Sequence, residues 1–315
     1  MFRLIMTNLK HLTFGKLFLL AAAAELFFGI NGGLNVKADG FDVKYFIFTV
    51  LLCAAVTLLN LGREHTDGTL RNKLTLGYSR GKIFFSLIVS AAICSTVLYT
   101  IVSVPYFLIG RSGFTKSMSS EMLLGVVMII YSTTLLITVG SAVLALCIPR
   151  LPVAAVVLLA AAIGFGIAED GLGRPLNENK YDGYMVYYPT REEVEDEDKY
   201  PVELEKDENG NLVYAQFREQ PNEFYVSGTK RIVYKTLYFL DPYAQFRTVE
   251  RVMRLYDFDD EELEVDLAAL DAMGEDIDFR WEIYRNYSYL PLYSGAFILV
   301  LLIGGVLLFR KININ

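Results

Sequence analysis

Long apolar runs alternate with short charged segments along most of this chain, and only one polar stretch is long. The runs Leu12–Ile30, Tyr45–Gly62, Ile83–Ile109, Met122–Ile148, Leu151–Ala168 and Leu290–Phe309 suit a hydrocarbon core about 30 Å thick when helical. They predict six transmembrane helices. Before them, Phe2, Ile5, Met6, Leu9 and Leu12 recur at helical spacing with Arg3, Lys10 and His11 between, which predicts an amphipathic helix in the membrane interface. Pro105 predicts a kink or break near the end of the third span. Pro149-Arg150-Leu151-Pro152 predicts a tight turn between the fourth and fifth. LFLLAAAA also resembles the apolar part of a signal peptide cleaved near Ala23, but ELFFGI continues the run past that point and favours a retained span.

The long polar stretch, residues 169–289, separates the last two runs. Tyr184–Tyr188 and Leu212–Phe217 read as strands, and Asn209-Gly210 within Asp207–Gly210 is a hairpin signal. Lys230–Leu240 reads as a helix. Asp241-Pro242 then supplies an N-cap and a first-turn proline for a helix reaching about Leu255, and Glu261–Met273 predicts another that stops at Gly274. The expected architecture is an α-helical membrane protein with an α+β extracellular domain. It divides into 1–168 (interfacial helix and five spans), 169–289 (acidic extracellular domain) and 290–315 (sixth span and cytoplasmic tail).

Charge changes the picture by giving the spans a direction. Residues 169–289 hold 30 acidic side chains against 14 Lys and Arg, a net of −16, within a chain whose total is −7. Arg3, Lys10, Lys16, Arg63, Arg71, Lys73, Arg80, Lys82, Arg150, Arg310 and Lys311 collect on one side of the six spans; Lys37, Lys44, Arg111 and Lys116 lie on the other. The positive-inside rule places the first set, and both termini, in the cytoplasm and the acidic domain outside. Cys53, Cys94 and Cys147 all belong to the spans, so the outer domain is built without disulfides, as suits a bacterial plasma membrane.

Candidate chemistry is sparse. Gly81-Lys82 lacks the upstream glycine and the following Ser or Thr of a Walker A loop, so this chain offers no ATP phosphate cradle. His11 and His65 are the only histidines, and no cluster of metal-ligating residues emerges. Asp207, Asn209 and Asn211 imitate the start of a calcium loop, but Leu212 stands where such a loop needs glycine, so a hairpin turn is the simpler reading. The acidic run Glu192, Glu193, Glu195, Asp196, Glu197 and Asp198 suits a solvated loop and also a surface that attracts cationic ligands. Glu25 is an acid inside a span: either a functional group or one that hydrogen-bonds a neighbouring helix near the outer interface. The 14 tyrosines of residues 169–289 supply strand, core and interfacial positions, with Trp281 and Tyr289 expected in the outer aromatic belt.

The segment Leu61–Lys82 is short, charged and set between spans two and three. Thr66 or Asp67 is placed to cap a short helix carrying Leu70, Leu74 and Leu76. Its order of Glu64, Gly68-Thr69-Leu70, then Ser79-Arg80 and Lys82 resembles the coupling loop of type-2 ABC exporter permeases, with Gly77-Tyr78 departing from the proline common there. The resemblance covers the spans and this loop, not residues 169–289. It implies a permease subunit of an ATP-driven exporter, not itself an enzyme, with no cofactor of its own. ATP and Mg would be bound by a separate ATPase subunit in two copies, docked through Glu64, Gly68, Thr69, Leu70, Arg71, Leu74 and Arg80. A second permease, identical or related, would complete the route among membrane lipids, with no nucleic acid involved. The expected substrate is amphipathic, peptide-like or lipid-linked, as in antimicrobial resistance or immunity. The competing reading is a membrane sensor or resistance protein whose outer domain binds an antimicrobial or cell-wall ligand without transport.

Overall fold

Helices built from the apolar runs form the body of the protein in the computed structural model, which describes residues 1–39, 41–111, 120–194, 202–206, 209–210, 212–255 and 286–312. Six of them are long and apolar enough to cross a membrane: α2 (Lys16–Asp39), α3 (Lys44–Thr66), α5 (Arg80–Gly110), α6 (Ser120–Cys147), α7 (Leu151–Leu176) and α10 (Leu290–Lys311). They are preceded by α1 (Phe2–Thr13), and α4 (Thr69–Thr75) joins α3 to α5. The chain is an α-helical, multi-pass membrane protein.

The first span begins later than its sequence suggests. Leu12 belongs to α1, where it is buried with Leu4 and Asn8, and the chain turns at Phe14-Gly15 before α2 starts. Asn8 Nδ2 donates to Ser86 Oγ at 3.2 Å, tying α1 to α5 while Phe2, Met6 and Phe14 remain exposed. The helix therefore has apolar side chains on two sides, one against the bundle and one open.

Pro105 neither breaks α5 nor ends it, since the helix continues to Gly110. The reason lies on α2, whose buried stripe is Ala21, Glu25, Gly29, Gly32, Gly33 and Val36. A Cβ on Gly29 would lie 2.6 Å from Pro105 Cγ and 2.5 Å from the Val102 carbonyl oxygen. Without one, the two backbones come together around the proline ring, and this close packing carries the helix through. By contrast α7 and α10 expose Val156, Leu159, Ile163, Leu299, Val300 and Ile303, faces suited to lipid rather than water.

Beyond its apolar part α7 runs on to Leu176, carrying Glu169 and Asp170 past the expected helix end at Ala168. The following segment contains β1 (Tyr181–Tyr188), β2 (Val202–Lys206) and β3 (Leu212–Pro221) in an antiparallel sheet of order β1-β3-β2. The two expected strands lie within β1 and β3. β2 was not expected, although Val202 and Leu204 alternate with Glu203 and Glu205 at the period of a strand. Gly210 has φ 83°, in the left-handed region a glycine turn needs, while Asp207, Glu208 and Asn211 lie outside the described residues. So do Trp281 and the expected helix Glu261–Met273 with its stop at Gly274.

Helices α8 (Gly228–Leu240) and α9 (Pro242–Leu255) follow the sheet. Asp241 caps α9 as its sequence suggests, accepting from the amides of Tyr243 at 2.8 Å and Ala244 at 3.4 Å. The buried apolar residues fall into two clusters. One, with Leu61, Leu70, Phe84, Leu87, Leu146 and Phe309, fills the end of the bundle that bears α4. The other joins Phe46, Tyr106 and Ile130 of the spans to Tyr238, Phe246 and Val249 of α8 and α9. These two helices thus share a core with the membrane-spanning bundle.

Candidate functional site

The segment between α3 and α5 is fixed in shape by charge and by one leucine. Gly68, at φ 68°, turns the chain from α3 into α4. The side-chain cap expected from Thr66 or Asp67 does not form on α4. Gly68 holds the N-cap position, and Asp67 instead closes α3 and accepts from Thr66 Oγ1 at 3.2 Å. Glu64 Oε2 accepts from Thr69 Oγ1 and from Lys73 Nζ, both at 2.6 Å, in an ion pair whose side chains are 11% and 14% exposed. Leu70, 1% exposed, is driven into the first core cluster, with Leu74 packed beside it. Leu76 lies beyond the last turn and is 76% exposed rather than serving as an apolar anchor.

Neighbouring elements are clamped to this segment through backbone carbonyls. Arg80 Nη1 donates to the carbonyl of Arg310 at 2.9 Å and to that of Ile312, and His65 Nε2 is 3.0 Å from the carbonyl of Leu146. The proposed coupling residues therefore divide. Glu64, Thr69, Leu70, Leu74 and Arg80 hold the segment in place, Gly68 shapes its turn, and Arg71 is exposed with Asn72, Thr75 and Leu76. Such a rigid mount with an exposed, mixed apolar and cationic tip is suited to docking.

No family model, curated protein or solved structure matches this chain.

Glu25 is fully buried on the inner stripe of α2, in contact with a neighbouring span. Its Oε2 lies 2.7 Å from Thr49 Oγ1 of α3, and its Oε1 is enclosed with no hydrogen-bond partner among the described residues. On the opposite side of α2, an open groove of about 720 Å³ is lined by Ala22, Ala23 and Leu26 and by Thr96, Val97 and Val104 of α5.

A second polar junction was not found in the sequence. Gln245 of α9 is fully buried, and its Oε1 accepts from Thr133 Oγ1 of α6 and from Ser294 Oγ of α10, both at 2.7 Å. Its Nε2 donates to the carbonyl of Phe239 at 2.8 Å. One amide thus fastens α9 to two spans. The only available signal was a polar residue at the apolar spacing of α9, among Phe246, Val249 and Val252.

Near this junction, Glu169 and Arg251 form a 3.6 Å ion pair at the edge of a cleft of about 220 Å³ that Asp170, Arg247 and Glu250 complete. Burial pushes the Asp241 carboxyl up to about 6, opposed by the two amides it caps and aided by the charge of Glu169. Of the acidic run, Glu192 is exposed on a short turn at Arg191–Glu193, where Glu193 also lies. Glu195, Asp196, Glu197 and Asp198 lie outside the described residues.

Proposed function

We propose that this chain is the transmembrane permease subunit of an ATP-driven ABC exporter, with α4 as the helix that docks on a separate ATPase. The observation that carries the reading is the construction of α4: a seven-residue helix held from below by Leu70 and the Glu64–Lys73 pair, presenting Arg71, Asn72, Thr75 and Leu76 outward. A segment meant only to join two spans needs no internal brace. The concentration of Lys and Arg at this end supports a cytoplasmic side for it and for both termini, in what this reading takes to be a bacterial plasma membrane. The sheet and residues 169–289 then lie outside as an α+β extracellular domain.

The substrate class is amphipathic and often cationic, peptide-like or lipid-linked. The net charge of −16 over residues 169–289 raises the local concentration of such ligands, and the apolar groove between α2 and α5 offers a lipid-like lateral surface. A second permease, of the same or a related chain, completes the route, and Mg and ATP belong to the partner.

The test separates the outward face of α4 from its brace. Arg71→Glu with Leu76→Asp should abolish the ATPase stimulation of a copurified nucleotide-binding subunit while thermal stability in detergent stays unchanged. Undiminished stimulation in that variant would overturn the docking role.

A second reading, a membrane sensor that binds an antimicrobial or cell-wall ligand without transport, is favoured by the core that α8 and α9 share with the spans. Movement of the outer segment would then pass directly into α6 and α10. Ligand-dependent protection of cells that persists without any ATPase partner would select this reading.

A further inference from the structure

The contacts of Glu25 suit a protonated carboxyl. Thr49 Oγ1 lies 2.7 Å from Glu25 Oε2 and 3.0 Å from the Tyr45 carbonyl oxygen, yet a hydroxyl carries one hydrogen. Both contacts become hydrogen bonds together only if the Glu25 carboxyl supplies the second hydrogen, donating to Thr49 while Thr49 donates to Tyr45. The unpartnered Oε1 supports the same assignment, because an enclosed neutral carbonyl oxygen is far less costly than an enclosed anionic one. A metal ion would need several oxygen ligands, and no group of three acidic, His or Cys side chains suited to a metal occurs among the described residues.

Glu25 also stands at the head of a line. Thr49, Cys53, Thr57, Asn60 and Glu64 share one face of α3 at intervals of three and four residues, and Glu64 is the acid that braces α4. Further along, Asn60 Nδ2 is buried with no hydrogen-bond partner among the described residues. It borders a cavity of about 10 Å³ shared with Thr57, Leu61, Ala91 and Cys94. That is near the least space that holds one water molecule, and Asn60 and Thr57 would supply its polar partners.

We propose that Glu25 is a proton-exchanging site within the membrane, held as a carboxylic acid by Thr49 and reached from the α4 end along the polar face of α3. The proton is its ligand. The site stands apart from the exporter reading, because it needs no ATPase partner.

The purified full-length chain in lipid vesicles is treated with dicyclohexylcarbodiimide, which reacts with carboxylic acids in apolar surroundings. The acid proton passes to one carbodiimide nitrogen, the carboxyl oxygen adds to the central carbon, and the O-acylisourea rearranges to a stable N-acylurea with no atom lost. The expected result is that adduct on the peptide containing Glu25, together with a carboxylic acid C=O infrared band that disappears in Glu25→Gln. Lack of the adduct where a known carbodiimide-reactive carboxyl is labelled, or lack of the band, overturns the site. Transfer to D2O should shift the band, and Asn60→Leu should slow that shift at least about tenfold. An unchanged rate in Asn60→Leu overturns the route along α3.

Discussion

The two ends of the bundle are closed by opposite chemistry. At the α4 end the brace of the short helix is ionic and local: Glu64 holds Thr69 and Lys73, five and nine residues away, while Arg80 adds a charged donor to the distant Arg310 carbonyl. At the other end it is neutral and distant: Gln245 bonds Ser294 at a separation of 49 residues and Thr133 at 112. The difference follows from depth. The Glu64–Lys73 pair is 11% and 14% exposed, so both charges keep some contact with the aqueous boundary. Gln245, Thr133 and Ser294 have no exposure at all, and there an ion pair would bear the full cost of desolvation. An amide and two hydroxyls fasten three helices at that depth without burying charge. The α4 end therefore carries a braced tip with exposed side chains, while the other end joins α8 and α9 to the spans as one packed body.

The largest expected effect falls on the neutral junction. Gln245→Leu keeps similar bulk but leaves Ser294 and the Phe239 carbonyl without their partner; Thr133 can turn its one hydrogen to the Ile129 carbonyl, 2.8 Å away. At about 1–3 kcal/mol for each buried group left unsatisfied, a loss of about 3 kcal/mol is expected. It should appear as a lower unfolding temperature in detergent and faster amide exchange in α8 and α9, with α4 unaffected. If α4 loosens as much as α9, the two ends are not independent and the contrast fails.

The same contrast explains what the sequence made legible. The spans were read from uninterrupted apolar length, and the α9 cap from Asp241-Pro242, because both signals lie within a few adjacent residues. The start of the first span was misplaced: Leu12 continues an apolar run, and only its packing against the bundle assigns it to α1. Pro105 was read as a kink or break, and the break does not occur; its compensation, the missing Cβ of Gly29, lies 76 residues upstream in a different helix. For the α4 segment the residue types were legible but their directions were not. That Glu64 turns toward Lys73 and Thr69 could not be read from the sequence. Gln245 was invisible, since a lone glutamine in a charged segment declares nothing about two hydroxyls on remote spans.

A smaller effect is expected at the ionic end. Glu64→Ala removes the partner of Lys73, while Thr69 keeps the Glu64 backbone carbonyl at 3.1 Å and the Lys73 ammonium can extend to nearby water, so the cost should fall below that of breaking a fully enclosed pair, at about 2 kcal/mol. That corresponds to about thirtyfold faster exchange of the Asn72 and Leu76 amides, which bond to the Gly68 and Asn72 carbonyls at 3.1 Å. The global unfolding temperature should change less than in Gln245→Leu. A larger global loss from Glu64→Ala would reverse the ranking of the two ends.

The finest test is a slope with pH at the junction of α8 and α9. Asp241 is 4% exposed, and burial lifts its carboxyl from an ordinary 3.8 to about 6. The folded state thus keeps this proton to a higher pH than the unfolded chain. Below about pH 4 both states are protonated and the group contributes no pH dependence. From about pH 4 to about pH 6 the folded state binds the extra proton, so its stability falls as pH rises, by at most about 1.4 kcal/mol per pH unit. Above about pH 6 the penalty is complete and the curve flattens. Glu169, Arg251 and Tyr238 also act on this junction, and Glu169 raises the Asp241 value further. Asp241→Asn keeps an oxygen for the Tyr243 and Ala244 amides but cannot titrate. The comparison is therefore wild type against Asp241→Asn, with unfolding temperature and α9 amide exchange followed from pH 4 to pH 7. The wild type should lose stability relative to the variant across the lower part of that range, and α9 should report the change while α4 serves as the reference. Parallel curves for the two proteins would show that the capping amides fully offset burial at Asp241.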